Sequence, residues 1–214
     1  MKYILDEYER SKLNNQPDSL FYSSPRYSYH LDQSFRERLT KLYSEVIETD
    51  SIILDLMSSW VSHLPDYSFS KVIGHGLNIQ ELERNPRLNQ YWIQDLNINQ
   101  QIPLENNSVN YCLLTAGWQY LQYPEKISSE MLRIVKPKGK FIISFSNRAF
   151  WEKSPNIWIN SSDQARIDYI SAVLLAQGWS IDNTIIEQPS SPNILSIFGH
   201  SQDPFFSVIA TKLN

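Results

Sequence analysis

Cysteine is almost missing from this chain of 214 residues, which holds Cys112 alone. One thiol allows neither an internal disulfide nor a cysteine-based metal site. Cys112 lies inside the apolar run "YCLLTA" and reads as a small buried hydrophobe. Glycine is scarce too, with 6 residues against a usual share of about 7%. A basic excess is lacking: 19 Lys and Arg against 23 Asp and Glu leave a net charge of −4, so no nucleic-acid partner is expected. No apolar run approaches the ~18 residues a membrane span requires. The opening "KYILDEYERSKLNNQ" is too charged for a signal peptide, so the expectation is a cytoplasmic protein with no membrane partner. The histidines (His30, His63, His75 and His200) lie far apart, with no pair at helical ligand spacing, so no metal site is expected.

What is present is an ordinary core-forming composition, 42% hydrophobic and 13% aromatic. That favours one domain over 1–214, with an arm and helix at 1–47 and a core at 48–214. The arm carries "FYSSPRYSYHLD", which interleaves Phe21, Tyr22, Tyr27 and Tyr29 with Arg26 and His30. Apolar residues from Leu31 to Val46 recur at spacings of three and four, the mark of an amphipathic helix. Strands are expected at Ser51–Leu56, Lys71–Leu77, Tyr91–Leu96, 109–116 and 140–146. Short helices are expected around Ser59–His63 and after Asn78, an N-cap whose capping box Glu81 would complete. Longer helices are expected at about Pro124–Val135 and Ser162–Gln177, the latter closed by Gly178. The segment 148–162 looks irregular. Two strands follow, within 180–189 and 204–213, joined by a loop rich in Pro, Ser and Gly.

Alternating strands and helices give an α/β fold, a parallel sheet with helices on both faces. The closing strands have no helix between them, so the last would run antiparallel, inserted between its predecessor and the parallel set. Against this background, three segments carry a resemblance: Asp55 at the end of the first strand, "QDLNINQQIPLENNSVNYCLL", and "ISSEMLRIVKPKGKFIISFSN". Residues 51 to 146 resemble the class I S-adenosylmethionine-dependent methyltransferases of the methyltransferase-11 type. The glycine-free first motif "LDLMSSWVSHLP", with "GHGLN" and "NPRLNQYWIQDLN", looks like a subgroup associated with cyanobacteria and chloroplasts. The resemblance implies a Rossmann-like doubly wound sheet preceded by an N-terminal helical arm. It also implies S-adenosylmethionine as cofactor and methyl transfer to a small-molecule acceptor.

The family's first motif, D-x-G-x-G-x-G, falls on Asp55, Met57, Ser59 and Val61, so every glycine is replaced. Met57 and Val61 would narrow that loop, and valine at positive φ would be strained. Ser58 and Ser59 could donate to the cofactor's carboxylate, beside backbone N–H groups at the start of the following helix. The family's ribose-binding acid falls on Gly76, leaving His75 or Asn78 for the contact; "GHG" reads equally well as a strand end packed close to its neighbour. Asp95 and the Leu96 N–H would hold the adenine. Thr115 and Gly117 end the fourth strand at the carboxyl edge where open α/β sheets bind ligands. Trp118 and Tyr120 could face the sulfonium, although Trp118 suits helix packing as well.

The arm reads as a lid. Tyr22 would lie against the cofactor and Arg26 could fork onto its carboxylate, unless the arginine merely meets a surface acid. Candidate catalytic groups are His30 and His63 as general bases, with Tyr120. The acceptor pocket would draw on residues 118–123 and 148–160, where Trp151 and Trp158 suit an aromatic guest or the core. Two rivals remain. A non-catalytic scaffold on the same fold would explain the lost glycines and ribose acid. A nicotinamide dehydrogenase would need G-x-G-x-x-G after the first strand, and "LMSSWVS" does not supply it.

Overall fold

The structure, a computed structural model, describes residues 1–189 and 202–214. The expected Pro/Ser/Gly loop and His200 fall outside the described residues. Seven strands form one sheet: β1 (Ile52–Leu56), β2 (Lys71–Gly76), β3 (Gln90–Ile93), β4 (Val109–Thr115), β5 (Val135–Phe145), β6 (Ser180–Glu187) and β7 (Phe205–Thr211). Their order is β3-β2-β1-β4-β5-β7-β6. The first five are parallel, whereas β7 pairs antiparallel with both β5 and β6, so the last strand is inserted as the order of elements implied. Among the described residues no helix is long and apolar enough to cross a membrane.

The two faces of the sheet follow from the period of two along each strand. Ile53, Leu113 and Ile142 point to one side, where they meet Phe35, Leu39 and Leu42 of α3 (Gln33–Val46). Leu54, Leu114 and Ile143 point to the other, against Ile127 and Met131 of α5 (Pro124–Ile134) and Ile170 and Val173 of α7 (Asp163–Gln177). Cys112 is buried in this second layer, beside the Met131 sulfur. Asp32 and Ser162 cap α3 and α7, Pro124 opens α5 in its first turn, and Gly178 closes α7 at φ 106°.

Two short helices, α1 (Glu7–Arg10) and α2 (Asp18–Phe21), precede α3. Buried ions hold this arm to the core. Arg10 forks onto Glu125 of α5, and Glu125 also accepts the backbone N–H groups of Ile4 and Leu5. Lys12 and Lys153 both meet Asp18, at 2.9 and 3.2 Å. Lys153 belongs to the segment read as irregular, which holds a 3-10 turn and α6 (Asn156–Ile159).

Two local expectations are corrected. No helix follows β1: residues 57–70 run as loop into β2, bent by positive φ at Met57 and His63 and held off helical geometry by Pro65. Asn78 caps α4 (Ile79–Arg84) through the Gln80 and Glu81 N–H groups, but no capping box forms. The Glu81 carboxylate reaches instead to the Arg26 N–H and the Ser59 hydroxyl.

In the turn "KPKGK" near the start of β5, Lys138 takes φ 67°. A side chain there strains the backbone by about 1 kcal/mol. Lys138→Gly is expected to raise stability by roughly 0.5–1 kcal/mol, read as a higher urea midpoint with unchanged slope. An unchanged or lower midpoint would contradict the strain.

Candidate active site

At the carboxyl ends of β1, β2 and β4 a cavity of about 400 Å³ opens under the arm. That lies within the ~300–1,000 Å³ of small-molecule sites. Most residues singled out in the sequence line it: Asp55, Met57, Ser58 and Ser59 after β1, Gly76 and Asn78 after β2, and Asp95 and Leu96 after β3. Thr115, Gly117 and Tyr120 enter after β4, His63 from the β1–β2 loop, and Tyr22, Arg26 and His30 from the arm.

The glycine-free turn is held by His75. This imidazole is 1% exposed. Its Nδ1 accepts the Met57 N–H at 3.1 Å, so the proton sits on Nε2 and is donated to the Gln94 carbonyl at 2.8 Å. Burial lowers its pKa to about 4, which keeps it neutral and Nδ1 free to accept. Met57 turns at φ 55°, and the strain expected at Val61 falls on Met57, His63 and Ala116 instead. The Met57 side chain folds over Gly117, where an added Cβ would stand 3.1 Å from its sulfur. Met57 and Trp60 line the cavity and leave it open.

Several expected donors are committed within the protein. Ser58 gives its hydroxyl proton to Asp55 at 2.6 Å and its N–H to the His75 carbonyl; Ser59 gives its own proton to Glu81. A hydroxyl has one proton, so neither serine donates it to a ligand in this arrangement. Gly76 is a close-packing position: a Cβ there would lie 2.7 Å from the Ser58 carbonyl. The ribose contact considered for His75 and Asn78 fails for a related reason. Both His75 nitrogens are engaged, and Asn78 caps α4 with its oxygen while donating to the Tyr22 and Ser23 carbonyls. Asn78 therefore ties down the arm.

The remaining groups are more available. Asp95 accepts the Asn97 N–H through one carboxylate oxygen. Thr115 pairs its hydroxyl with Tyr43 of α3 at 2.8 Å. Tyr120 accepts the Phe150 N–H and stacks on that ring; burial pushes its phenol to about 12, so it stays protonated. Burial and Arg36 lower His63 to about 4, and burial then Arg26 lower His30. Both are neutral at pH 7. Trp118 turns into the core against Phe141 and Tyr169. Trp158 is buried against Phe145 and Trp151 stacks near Arg166, so the segment 148–160 contributes Arg148, Ala149 and Phe150 instead of its tryptophans.

Arg26 is the decisive side chain. Its guanidinium lies 4.4, 5.1 and 5.1 Å from the Phe21, Tyr22 and Phe150 ring centres, with one nitrogen on the Phe21 carbonyl. The other terminal nitrogen, Nη1, is buried with no partner among the described residues. Gln119, within the stretch 118–123 expected to line the acceptor pocket, also lines the cavity and has a buried Oε1 that is unpaired among the described residues. Phe150 falls within the expected stretch 148–160, whereas Glu81 and Gln94 were missed as cavity residues. Each is brought to the cavity by a contact between distant segments, which no local spacing reveals.

Residues 59–143 match the family model described as a methyltransferase domain. This stretch is a methyltransferase domain, and S-adenosylmethionine is the cofactor that such a domain indicates. No curated protein matches the chain. Solved structures share its fold. The PH0226 protein from Pyrococcus horikoshii OT3 is 14% identical, over 90% of this chain and 98% of its own, with a TM-score of 0.61. A SAM-dependent methyltransferase from Aquifex aeolicus is 14% identical, over 83% and 89%, with a TM-score of 0.57. A chain of the complex between the Haloferax volcanii Trm112 methyltransferase activator and a methyltransferase is 10% identical, over 85% and 91%, with a TM-score of 0.61.

Near its end β1 carries a buried acid, Asp55. Burial raises Asp55 to about 6, against the donated Ser58 and Ser62 hydrogen bonds that lower it. A raised folded pKa means that the native state binds the extra proton between the unfolded value and about 6. Stability from this group is therefore present at low pH and lost as pH rises through 6. His75 acts oppositely, its contribution being lost as pH falls towards 4. Asp55→Asn isolates the first effect: relative to wild type it should gain about 2–3 kcal/mol between pH 4 and pH 7.5, read by urea unfolding at both values. A pH-independent difference would contradict a buried carboxylate. Restoring the family's acid, Gly76→Asp, should destabilise by about 1–3 kcal/mol and weaken cofactor binding, because its Cβ meets the Ser58 carbonyl. Improved binding of S-adenosylhomocysteine would overturn that account.

Proposed function

We propose that this methyltransferase transfers the methyl group to a small molecule held beside the cofactor under the N-terminal arm. One observation carries the reading. Among the described residues, the cavity wall holds a guanidinium nitrogen without an acceptor and an amide oxygen without a donor, both buried. Leaving each unpaired costs about 1–3 kcal/mol, and an α-amino acid head group, with its carboxylate and ammonium, supplies both partners. Arg26 then receives the cofactor's carboxylate and Gln119 its ammonium, the role that bare main chain performs in a glycine-rich first motif. Glu81 takes the ribose hydroxyls in place of the acid that Gly76 replaces, and Asp95 with Leu96 takes the adenine. The bound cofactor supplies a methyl group on a positively charged sulfur, already a good leaving group.

The protein's own work is alignment and exclusion of water. Tyr22, Met57, Leu96, Leu121 and Phe150 give the cavity its apolar wall, and the aromatic ring of Phe150 suits a nearby positive charge. His30 and His63, neutral at pH 7, are the groups that can accept a proton from an incoming nucleophile. The scaffold alternative draws on the committed serines. Thermal unfolding separates the two: millimolar S-adenosylhomocysteine should raise the midpoint, since a ligand bound only to the native state stabilises it by mass action. Arg26→Ala should weaken calorimetric binding by more than tenfold. No shift at millimolar ligand supports the scaffold, and an unchanged affinity in the variant removes Arg26 from the head-group site.

A further inference from the structure

The cavity has two electrostatically different ends. Asp55, Glu81 and Asp95 stand at the sheet end, where carboxylates repel an anion. The arm end is aromatic and cationic. Tyr29 packs on Trp60 with ring centres 4.8 Å apart and lies 6.4 Å from the His63 ring, while Phe150 meets His30 edge-on. The Arg36 guanidinium lies over Tyr29 at 3.7 Å from the ring centre, and its Nε donates to the Asp32 carbonyl at 3.2 Å.

Arg36 has no carboxylate within ion-pair distance among the described residues, and residues 190–201 contain no acidic side chain at all. In a chain of net negative charge, a cavity-lining arginine without an acid is an opening for a ligand. A guanidinium stacked on a phenol ring keeps its edge free for a planar, two-oxygen anion. The adjoining indole and phenol rings favour a flat, apolar body on that anion.

We propose that the acceptor is a small aromatic carboxylate, received by Arg36 and packed against the Tyr29–Trp60 pair and Phe150. This rests on the methyl-transfer reading above, since it concerns what shares the cavity with the cofactor. The carboxylate lies at the arm end because the sheet end is acidic. The cavity, about 400 Å³, has to hold cofactor and acceptor together, which confines the acceptor to a small molecule. A carboxylate on Arg36 would also offset the charge that helps lower His63, making that imidazole a better proton acceptor once the acceptor is bound.

The test is calorimetry on the full chain, with and without saturating S-adenosylhomocysteine, using 4-hydroxybenzoate, its uncharged amide and the cationic 4-hydroxybenzylamine as probes. Wild type should bind the acid at least tenfold more tightly than either relative. Arg36→Gln should abolish that preference while keeping S-adenosylhomocysteine affinity within about twofold. Equal binding of acid and amide, preference for the amine, no binding of the acid, or an intact preference in Arg36→Gln would each overturn the proposal. The acid-to-amide ratio needs no variant, so a poorly folding Arg36→Gln does not rescue it. Failure of S-adenosylhomocysteine to bind would instead overturn the methyl-transfer reading, and the titration without it reads the carboxylate preference independently.

Discussion

The hydrogen bond from the Met57 N–H to Nδ1 of His75 is the contact on which the site depends. Strand β1 must end in a sharp turn for the cavity to exist, and here a methionine makes that turn at positive φ. Such a conformation persists only where its surroundings over-determine it. His75 does this from the neighbouring strand, with its own tautomer fixed by the Gln94 carbonyl. The Ser58 N–H on the His75 carbonyl closes the same turn from the other side, and only a glycine at 76 lets the two loops approach so closely. Loss of glycine from the first motif is thus matched by glycine in the second strand. The close approach is kept, and the residue that permits it has moved.

A consequence is that ligand-binding capacity moves outward, to the arm. Asn78 ties the arm's Tyr22 and Ser23 carbonyls, and Glu81 holds the Arg26 N–H, so the end of β2 is joined to the lid above it. Farther off, Arg10–Glu125 and the Lys12–Asp18–Lys153 cluster fix the arm by buried charges. Removing one member of such a pair leaves an unpaired buried ion, so the arm docks in one way or not at all. Desolvation raises Asp18 while its partners outweigh it and hold it below the usual carboxylate range. With the arm docked, Arg26, Tyr29 and His30 stand at the mouth as fixed wall.

Much of this was legible in order and pattern. Strands β4 and β5, both buried on two faces, read as apolar runs, and the amphipathic spacing of α3 and α5 was visible directly. Boundaries moved by a residue or a few more, as at the start of β5. The expected helix after β1 failed because Ser59–His63 has helical length without the surroundings a helix needs: Pro65 follows, and positive φ at Met57 and His63 bends the chain. Lining residues came through because topology gathers the ends of parallel strands at one edge. Their roles did not, because a role depends on which hydrogen bonds are already made. Ser58, Ser59 and Asn78 looked like ligand donors and are donors to Asp55, Glu81 and the arm.

By itself the sequence determined the α/β class, the inserted antiparallel last strand and many of the residues at the cavity edge, since periodicity and element order are local or cumulative properties of the chain. The tertiary structure alone decided which of those groups remain unpaired. Nothing local says that, among the described residues, Arg26 Nη1 and Gln119 Oε1 end buried without partners, or that Arg36 meets Tyr29 and no acid. Those outcomes follow from contacts between segments far apart in sequence, where each donor is claimed by whichever acceptor folding brings nearest.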